Sequence, residues 1–193
     1  FLVAASIIPG SELRLRAVGL NPRRTGLLQA LRLMGADITE ENASEHGGEP
    51  VADLVVRHAP LRGIAVPEAL VPDMIDEFPA LFVAAAAADS PTVVRGAAEL
   101  RVKESDRLAA MANGLRALGL RVDETPDGAT IFPGELQGGV VDSHGDHRIA
   151  MAFSIAGQLA KGEVRVGDVA NVATSFPDYD GLATGAGFAL RKA

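Results

Sequence analysis

Three stretches of small apolar residues recur along the chain: Phe1 to Ile8, Ala80 to Ala88 and Met151 to Ala160. Each is closed by a short polar or glycine turn. Segments that are apolar all round, with side chains this small, predict helices that pack on every face. After each comes a β-branched, alternating segment holding a basic residue: Leu13-Arg14-Leu15-Arg16, Thr92-Val93-Val94-Arg95 and Glu163-Val164-Arg165-Val166. The alternation predicts strands. A loop then leads to a second helix that ends in glycine shortly before another extended segment, at Leu33-Met34-Gly35, Ala117-Leu118-Gly119 and Gly185-Ala186-Gly187. Glycine there is the expected left-handed stop. The first two copies continue into further strand pairs, Leu54-Val55-Val56 with Ile64-Ala65-Val66, and Thr130-Ile131-Phe132 with Val140-Val141. The third stops after Leu190.

The pattern repeats with a period of about 75 residues, which is the first thing to seek in a sequence. It predicts a single α/β (α+β) domain over residues 1–193. Its helix-strand-helix-strand-strand units fall near 1–79, 80–150 and 151–193, the last incomplete. Such units lay two helices against a small sheet. Three of them can close into a pseudo-threefold domain with helices buried inside, and periodicity alone leaves an open sandwich equally available.

Composition narrows the function. The chain has 193 residues, 48% of them hydrophobic, which is enough apolar surface to fold. Its longest uncharged apolar stretch, Phe78 to Ala88, is interrupted by Pro79 and is far short of the roughly 20 residues that cross a bilayer, so a soluble protein is expected. With 18 Lys and Arg against 25 Asp and Glu, the net charge is −7, which opposes a broad nucleic-acid or anionic-membrane surface. Any anion site must be local. No cysteine is present, which excludes disulfides, thiolate metal sites and cysteine nucleophiles. The opening at Phe1 reads as the middle of an apolar helix, without an initiator Met or signal-peptide region, and is expected to belong to a fragment or processed product.

The common phosphate-loop, zinc-protease and nucleophile-elbow patterns are absent. What stands out is Arg101-Val102-Lys103-Glu104-Ser105-Asp106-Arg107, leading into Leu108, Met111, Leu115 and Leu118 at helical spacing. If the helix extends back through this run, Lys103 and Arg107 share a face as a two-cation clamp beside polarised N–H groups. Glu104, four before Leu108, then extends the buried stripe. Burial would raise its pKa, while Lys103, Arg107 and the helix dipole would lower it, the balance expected of a general acid. The same string also suits a solvated, salt-bridged helix start capped by Ser105 or Asp106. Counting eleven residues on from Leu13, Thr92 and Glu163 reaches Arg24, Lys103 and Thr174, each expected to open a second helix. Asp76 lies just before one apolar helix, where it could act chemically or as an N-cap. In His144-Gly145-Asp146-His147-Arg148 a metal site is a weaker reading than a helix start capped by Asp146.

At these residues the chain resembles the family of 5-enolpyruvylshikimate-3-phosphate synthases, or 3-phosphoshikimate 1-carboxyvinyltransferases. The resemblance runs through Leu20-Asn21-Pro22-Arg23-Arg24-Thr25-Gly26, Leu33 to Ile38, Met74-Ile75-Asp76-Glu77, Arg101 to Arg107, Gly145 to Met151 and Thr174-Ser175-Phe176-Pro177. It implies one of two inside-out α/β domains, the C-terminal one, whose third unit is completed by a strand from the extreme N-terminus of the whole protein. It also implies transfer of the enolpyruvyl group of phosphoenolpyruvate to the 5-hydroxyl of shikimate 3-phosphate, with release of phosphate. By the same resemblance Asp76 is the base at the attacking hydroxyl and Glu104 the proton donor. Lys103 is a shikimate-3-phosphate ligand, Arg107 and Arg148 are phosphoenolpyruvate ligands, and His147 is a supporting neighbour.

No metal or organic cofactor is implied, nor a nucleic-acid or membrane partner. A cytoplasmic enzyme, monomeric when full length, is expected, with this chain alone inactive. Thr174 stands where many relatives carry Lys, and Glu99 where some carry Asn, so neither is assigned and the response to glyphosate is left open. A UDP-N-acetylglucosamine enolpyruvyl transferase and a noncatalytic anion-binding domain are the alternative readings.

Overall fold

The computed structural model describes residues 1–191. In chain order the elements are α1 (Leu2–Ile7), β1 (Glu12–Gly19), α2 (Gly26–Met34), β2 (Asp37–His46), β3 (Glu49–Arg57), α3 (Phe78–Ala86), β4 (Thr92–Val94), α4 (Arg107–Ala117), β5 (Val122–Thr125), β6 (Gly128–Ile131), β7 (Gln137–Asp142), α5 (His147–Ala156), β8 (Lys161–Gly167), α6 (Ala170–Ser175) and α7 (Tyr179–Gly185). Short 3₁₀ turns at Pro22–Arg24, Glu68–Leu70, Pro72–Glu77 and Ala98–Val102 join some of them.

The sheets are small. Strands β1-β3-β2 and β4-β6-β5 form two antiparallel sheets, while β7 and β8 pair in parallel across the α5 crossover. At the centre lies α3, in which Phe78, Pro79 and every residue from Leu81 to Ala86 are buried. Its Ala and Val side chains let α1 and α5 approach closely, as expected of a helix apolar on all sides. Burial also falls on the expected stripe of α4, with Leu108, Met111, Leu115 and Leu118 all at 1% exposure or less. Helix α2 stops at Gly35 (φ 95°) and α4 is followed by Gly119 (φ 91°), both left-handed positions that only glycine adopts cheaply.

Two expected strand pairings are corrected. Ile64 to Val66 is no strand beside Leu54 to Val56; it makes a single parallel bridge, Ala65 to Val93, against β4. Leu54 to Val56 pairs instead with β1 and β2. Val140 and Val141 pair with Arg165 and Val166 of β8, in a different sheet from Thr130 and Ile131. Partner choice between strands is set by packing across the chain, and an apolar run of three residues does not encode it. No helix is long and apolar enough to cross a membrane among the described residues.

Candidate active site

Arg107 opens α4, because Asp106 accepts the Ala109 N–H at 3.0 Å and so caps the helix one residue earlier. The other oxygen of Asp106 accepts from Arg101 at 2.9 Å, and Arg101 also reaches Glu124 and the carbonyls of Thr125 and Pro126. The cap thereby corrects the expectation for Lys103 and Glu104. Both lie before the helix, Lys103 in extended backbone just after the 3₁₀ turn, so Lys103 and Arg107 share no helix face. The Glu104 side chain is 54% exposed, so it does not prolong the buried stripe.

The loop nevertheless brings the expected groups together. Arg107 is fully buried and donates to three carboxylates: Asp146 Oδ2 from Nε at 2.7 Å, Asp76 Oδ1 from Nη1 at 3.0 Å, and Glu104 Oε2 from Nη2 at 2.6 Å. Burial alone would lower its pKa, but the hydrogen bond and charge of Asp146, with the charge of Glu104 and the hydrogen bond to Asp76, leave it raised. It is a fixed cation.

Asp76 is the meeting point. It stands in the turn Pro72–Glu77, bent at the buried Met74, and it does not cap α3, whose N-cap is Glu77. Besides Arg107, it has Lys103 Nζ at 4.0 Å and Arg148 Nη2 at 3.7 Å, and its backbone carbonyl accepts from Arg148 Nη1 at 3.0 Å. Lys103 also donates to Glu99 at 2.5 Å; that bond chiefly, with the charges of Glu99 and Asp76, raises its pKa against the effect of burial. Arg148 lies 3.5 Å from Glu77.

Asp146 caps α5 through the Arg148 N–H at 2.9 Å, as expected, but its larger role escaped the sequence reading. It is fully buried, and burial would raise its pKa; the hydrogen bond and charge of Arg107, then the Arg148 N–H and the Ser105 hydroxyl, hold it below the usual carboxylate range. The available signal was that a helix cap uses one carboxylate oxygen and leaves the other for a partner. Glu99, four residues before Lys103, was likewise visible as an i,i+4 pair.

His147 is half-buried in the first turn of α5, and its ring makes no hydrogen bond or ion pair among the described residues. Arg24 and Thr174 are exposed, and neither opens a helix. Arg24 ends a 3₁₀ turn and Thr174 lies near the end of α6, each shortly before the helix that follows.

Two open concavities flank Arg107. One is lined by Asp76, Glu77 and Arg148 and runs over α3 and α5 to Phe1, Phe176 and Tyr179. The other is lined by Glu104, Ser105, Asp106, Asn113 and His144. The guanidinium lies between them, with Nη1 toward Asp76 and Nη2 toward Glu104. Lys103 and Arg148, partly exposed beside Asp76, with the buried Arg107 behind them and Glu104 beyond it, are groups able to bind an anion and move protons beside it.

A family model described as EPSP synthase (3-phosphoshikimate 1-carboxyvinyltransferase) matches residues 1–181. A 3-phosphoshikimate 1-carboxyvinyltransferase of Xanthomonas euvesicatoria pv. vesicatoria (strain 85-10) is 78% identical over 193 residues, covering 100% of this chain and 44% of that protein. Another, of Xanthomonas campestris pv. campestris (strain 8004), is 80% identical over 190 residues, covering 98% and 43%. Among solved structures, an EPSP synthase from Acinetobacter baumannii superposes with a TM-score of 0.94 at 48% identity, covering 97% of this chain and 44% of that one. The enolpyruvyl transferase NikO from Streptomyces tendae superposes at 0.73 with 19% identity, covering 98% and 42%, a likeness of fold alone. The chain thus spans less than half the length of these relatives.

Proposed function

The chain belongs to the EPSP synthase family, and from that premise we propose that it supplies one wall of an active site that transfers the enolpyruvyl group of phosphoenolpyruvate to the 5-hydroxyl of shikimate 3-phosphate, releasing phosphate. The observation that carries this reading is the convergence of Lys103, Arg107 and Arg148 on Asp76, with Glu104 on the far side of the same guanidinium. Two anionic substrates need several fixed cations, and the reaction needs a proton delivered to one carbon and another removed from a hydroxyl.

In this reading Arg107 and Arg148 take the phosphoenolpyruvate, and Lys103 takes shikimate 3-phosphate. Glu104 protonates the methylene carbon, which makes the adjacent carbon electrophilic. Asp76 accepts the proton of the attacking hydroxyl, and the tetrahedral intermediate then expels phosphate while one proton of the new methyl group returns to the Glu104 carboxylate, which restores the vinyl double bond. Carboxylates hold the three cations in place before binding; the incoming anion replaces Asp76 and Glu104 at the outer edge of Arg107, while Asp146 keeps its hold on the Nε edge. By the family resemblance His147, next to Arg148 in the first turn of α5, is a supporting neighbour. No step calls for a metal or organic cofactor.

The chain serves as one inside-out domain of repeated units in a two-domain, monomeric cytoplasmic enzyme, and on its own it lacks the opposite wall of the cleft. The test joins these 193 residues to the preceding portion of the Xanthomonas euvesicatoria relative and measures phosphate release from phosphoenolpyruvate with shikimate 3-phosphate. Turnover by the joined protein and none by the isolated chain is expected. An inactive, folded joined protein refutes the assignment, and comparable turnover by the isolated chain refutes the two-domain argument.

A further inference from the structure

We propose that Asp146 is a positioning residue that fixes the head group of Arg107 relative to the helix turn bearing Arg148. The inference rests on the reading of those two arginines as phosphoenolpyruvate ligands. Asp146 is fully buried and both of its oxygens are engaged. Oδ2 accepts from Arg107 Nε at 2.7 Å and from the Ser105 hydroxyl at 3.1 Å. Oδ1 accepts from the Arg148 backbone N–H at 2.9 Å and from Arg107 Nη2 at 3.4 Å.

One carboxylate therefore grips the Nε edge of the Arg107 guanidinium and pins the first turn of α5. A side-on carboxylate sets the plane of a guanidinium as well as its place. The remaining edge of Arg107, Nη1 with Nη2, is the one turned to Asp76 and Glu104. Ser105 closes the arrangement from the loop that carries Glu104, so the stretches 105–107 and 146–148, distant in sequence, meet at one buried group.

This role depends on having two equivalent acceptors. In Asp146→Asn the single carbonyl oxygen can cap α5 or receive Arg107, and the amide nitrogen then opposes an N–H donor. The variant keeps the size of the side chain and frees either the arginine or the helix turn, while Asp76 and Glu104 still neutralise Arg107.

The test uses a full-length enzyme carrying these residues. Asp146→Asn is expected to raise the KM for phosphoenolpyruvate by about 10-fold or more, since misplacement on the order of 1 Å is that costly. The KM for shikimate 3-phosphate should change by less than about twofold, because its ligand Lys103 has no contact with Asp146. Nitrogen-15 NMR of the arginine Nε–H groups gives an arm independent of turnover: Arg107 Nε–H exchanges slowly with solvent in the parent and quickly in the variant. A lower Tm with both KM values unchanged, or both raised alike, overturns the proposal.

If Asp146→Asn does not fold, Ser105→Ala removes one hydrogen bond to the same oxygen. It should raise the phosphoenolpyruvate KM a few-fold and speed the exchange of Nε–H, and no change in either overturns the proposal. A folded parent that does not turn over these substrates refutes the functional reading instead, and the exchange measurement still decides whether Asp146 holds Arg107.

Discussion

Replacing Arg107 with alanine strands a buried carboxylate, and the structure sets the size of the penalty. Asp146 is 0% exposed and Arg107 is 1% exposed. After Arg107→Ala, Asp146 keeps, among the described residues, only the Ser105 hydroxyl and the Arg148 N–H. Removing one partner of a buried ion pair typically costs about 3–5 kcal/mol, because the other charge is left uncompensated. Asp76 and Glu104, at 40% and 54% exposure, can turn to water and add little. Against a total stability of about 5–15 kcal/mol this is a large fraction, and for a domain of this size it lowers Tm by roughly 6–20 °C. The double variant Arg107→Ala/Asp146→Asn removes the stranded charge and should recover at least about 1 kcal/mol relative to Arg107→Ala, a coupling expected only of groups in contact. Urea unfolding followed by circular dichroism measures both. If the single variant loses less than about 1 kcal/mol, or the double variant loses the sum of its parts, the pair is not the buried anchor described.

How much of this was legible in the sequence depends on how local the determinant is. The stops at Gly35 and Gly119 and the stripe from Leu108 to Leu118 are written in adjacent residues, and the structure places them as expected. The start of α4 was misread because two local signals compete. The spacing of Lys103 and Arg107 suggests a shared helix face, while Asp106 offers a cap, and the cap prevails with Arg101 bracing its second oxygen. Strand partners were less legible still. Val140 and Val141 are read correctly as strand, but only the crossover through α5 brings β8 beside them.

In the site, the residues drawn together on Asp76 were each named from the sequence, whereas the cap signal at Asp146 leaves one oxygen open without naming its partner, Arg107, 39 positions away. The string Asp146-His147-Arg148 announces a helix start. That its first carboxylate also fixes an arginine on another helix follows only from the packing of α4 against α5.

Three further outcomes are expected. In a full-length enzyme, Glu104→Gln should lower kcat by about 10²–10⁴, the usual contribution of a positioned general acid, with Tm little changed because the side chain is half exposed. Solvent deuterium entering the methylene carbon at the parent rate would assign that proton to another group. Gly114→Ala should destabilise the chain by about 1–3 kcal/mol, although alanine is the better helix former by about 1 kcal/mol. A Cβ at Gly114 would stand 2.1 Å from the Phe153 ring, so an unchanged Tm would show that α4 and α5 are not packed so closely.

The last concerns acid. The folded-state pKa of Asp146 is held below its unfolded value of 3.8, so the carboxylate contributes its full stability above that pH. The contribution is lost as pH falls through the folded value. Unfolding free energies compared at neutral pH and below pH 4 should therefore fall more steeply in the parent than in Asp146→Asn, which has no proton to gain at this position. Carboxylates that touch neither Asp146 nor Arg107 keep the same surroundings in both proteins and cancel from the difference. Equal acid slopes would mean that Asp146 does not carry a buried charge in the folded chain, and its hold on Arg107 would then have to be neutral and correspondingly weak.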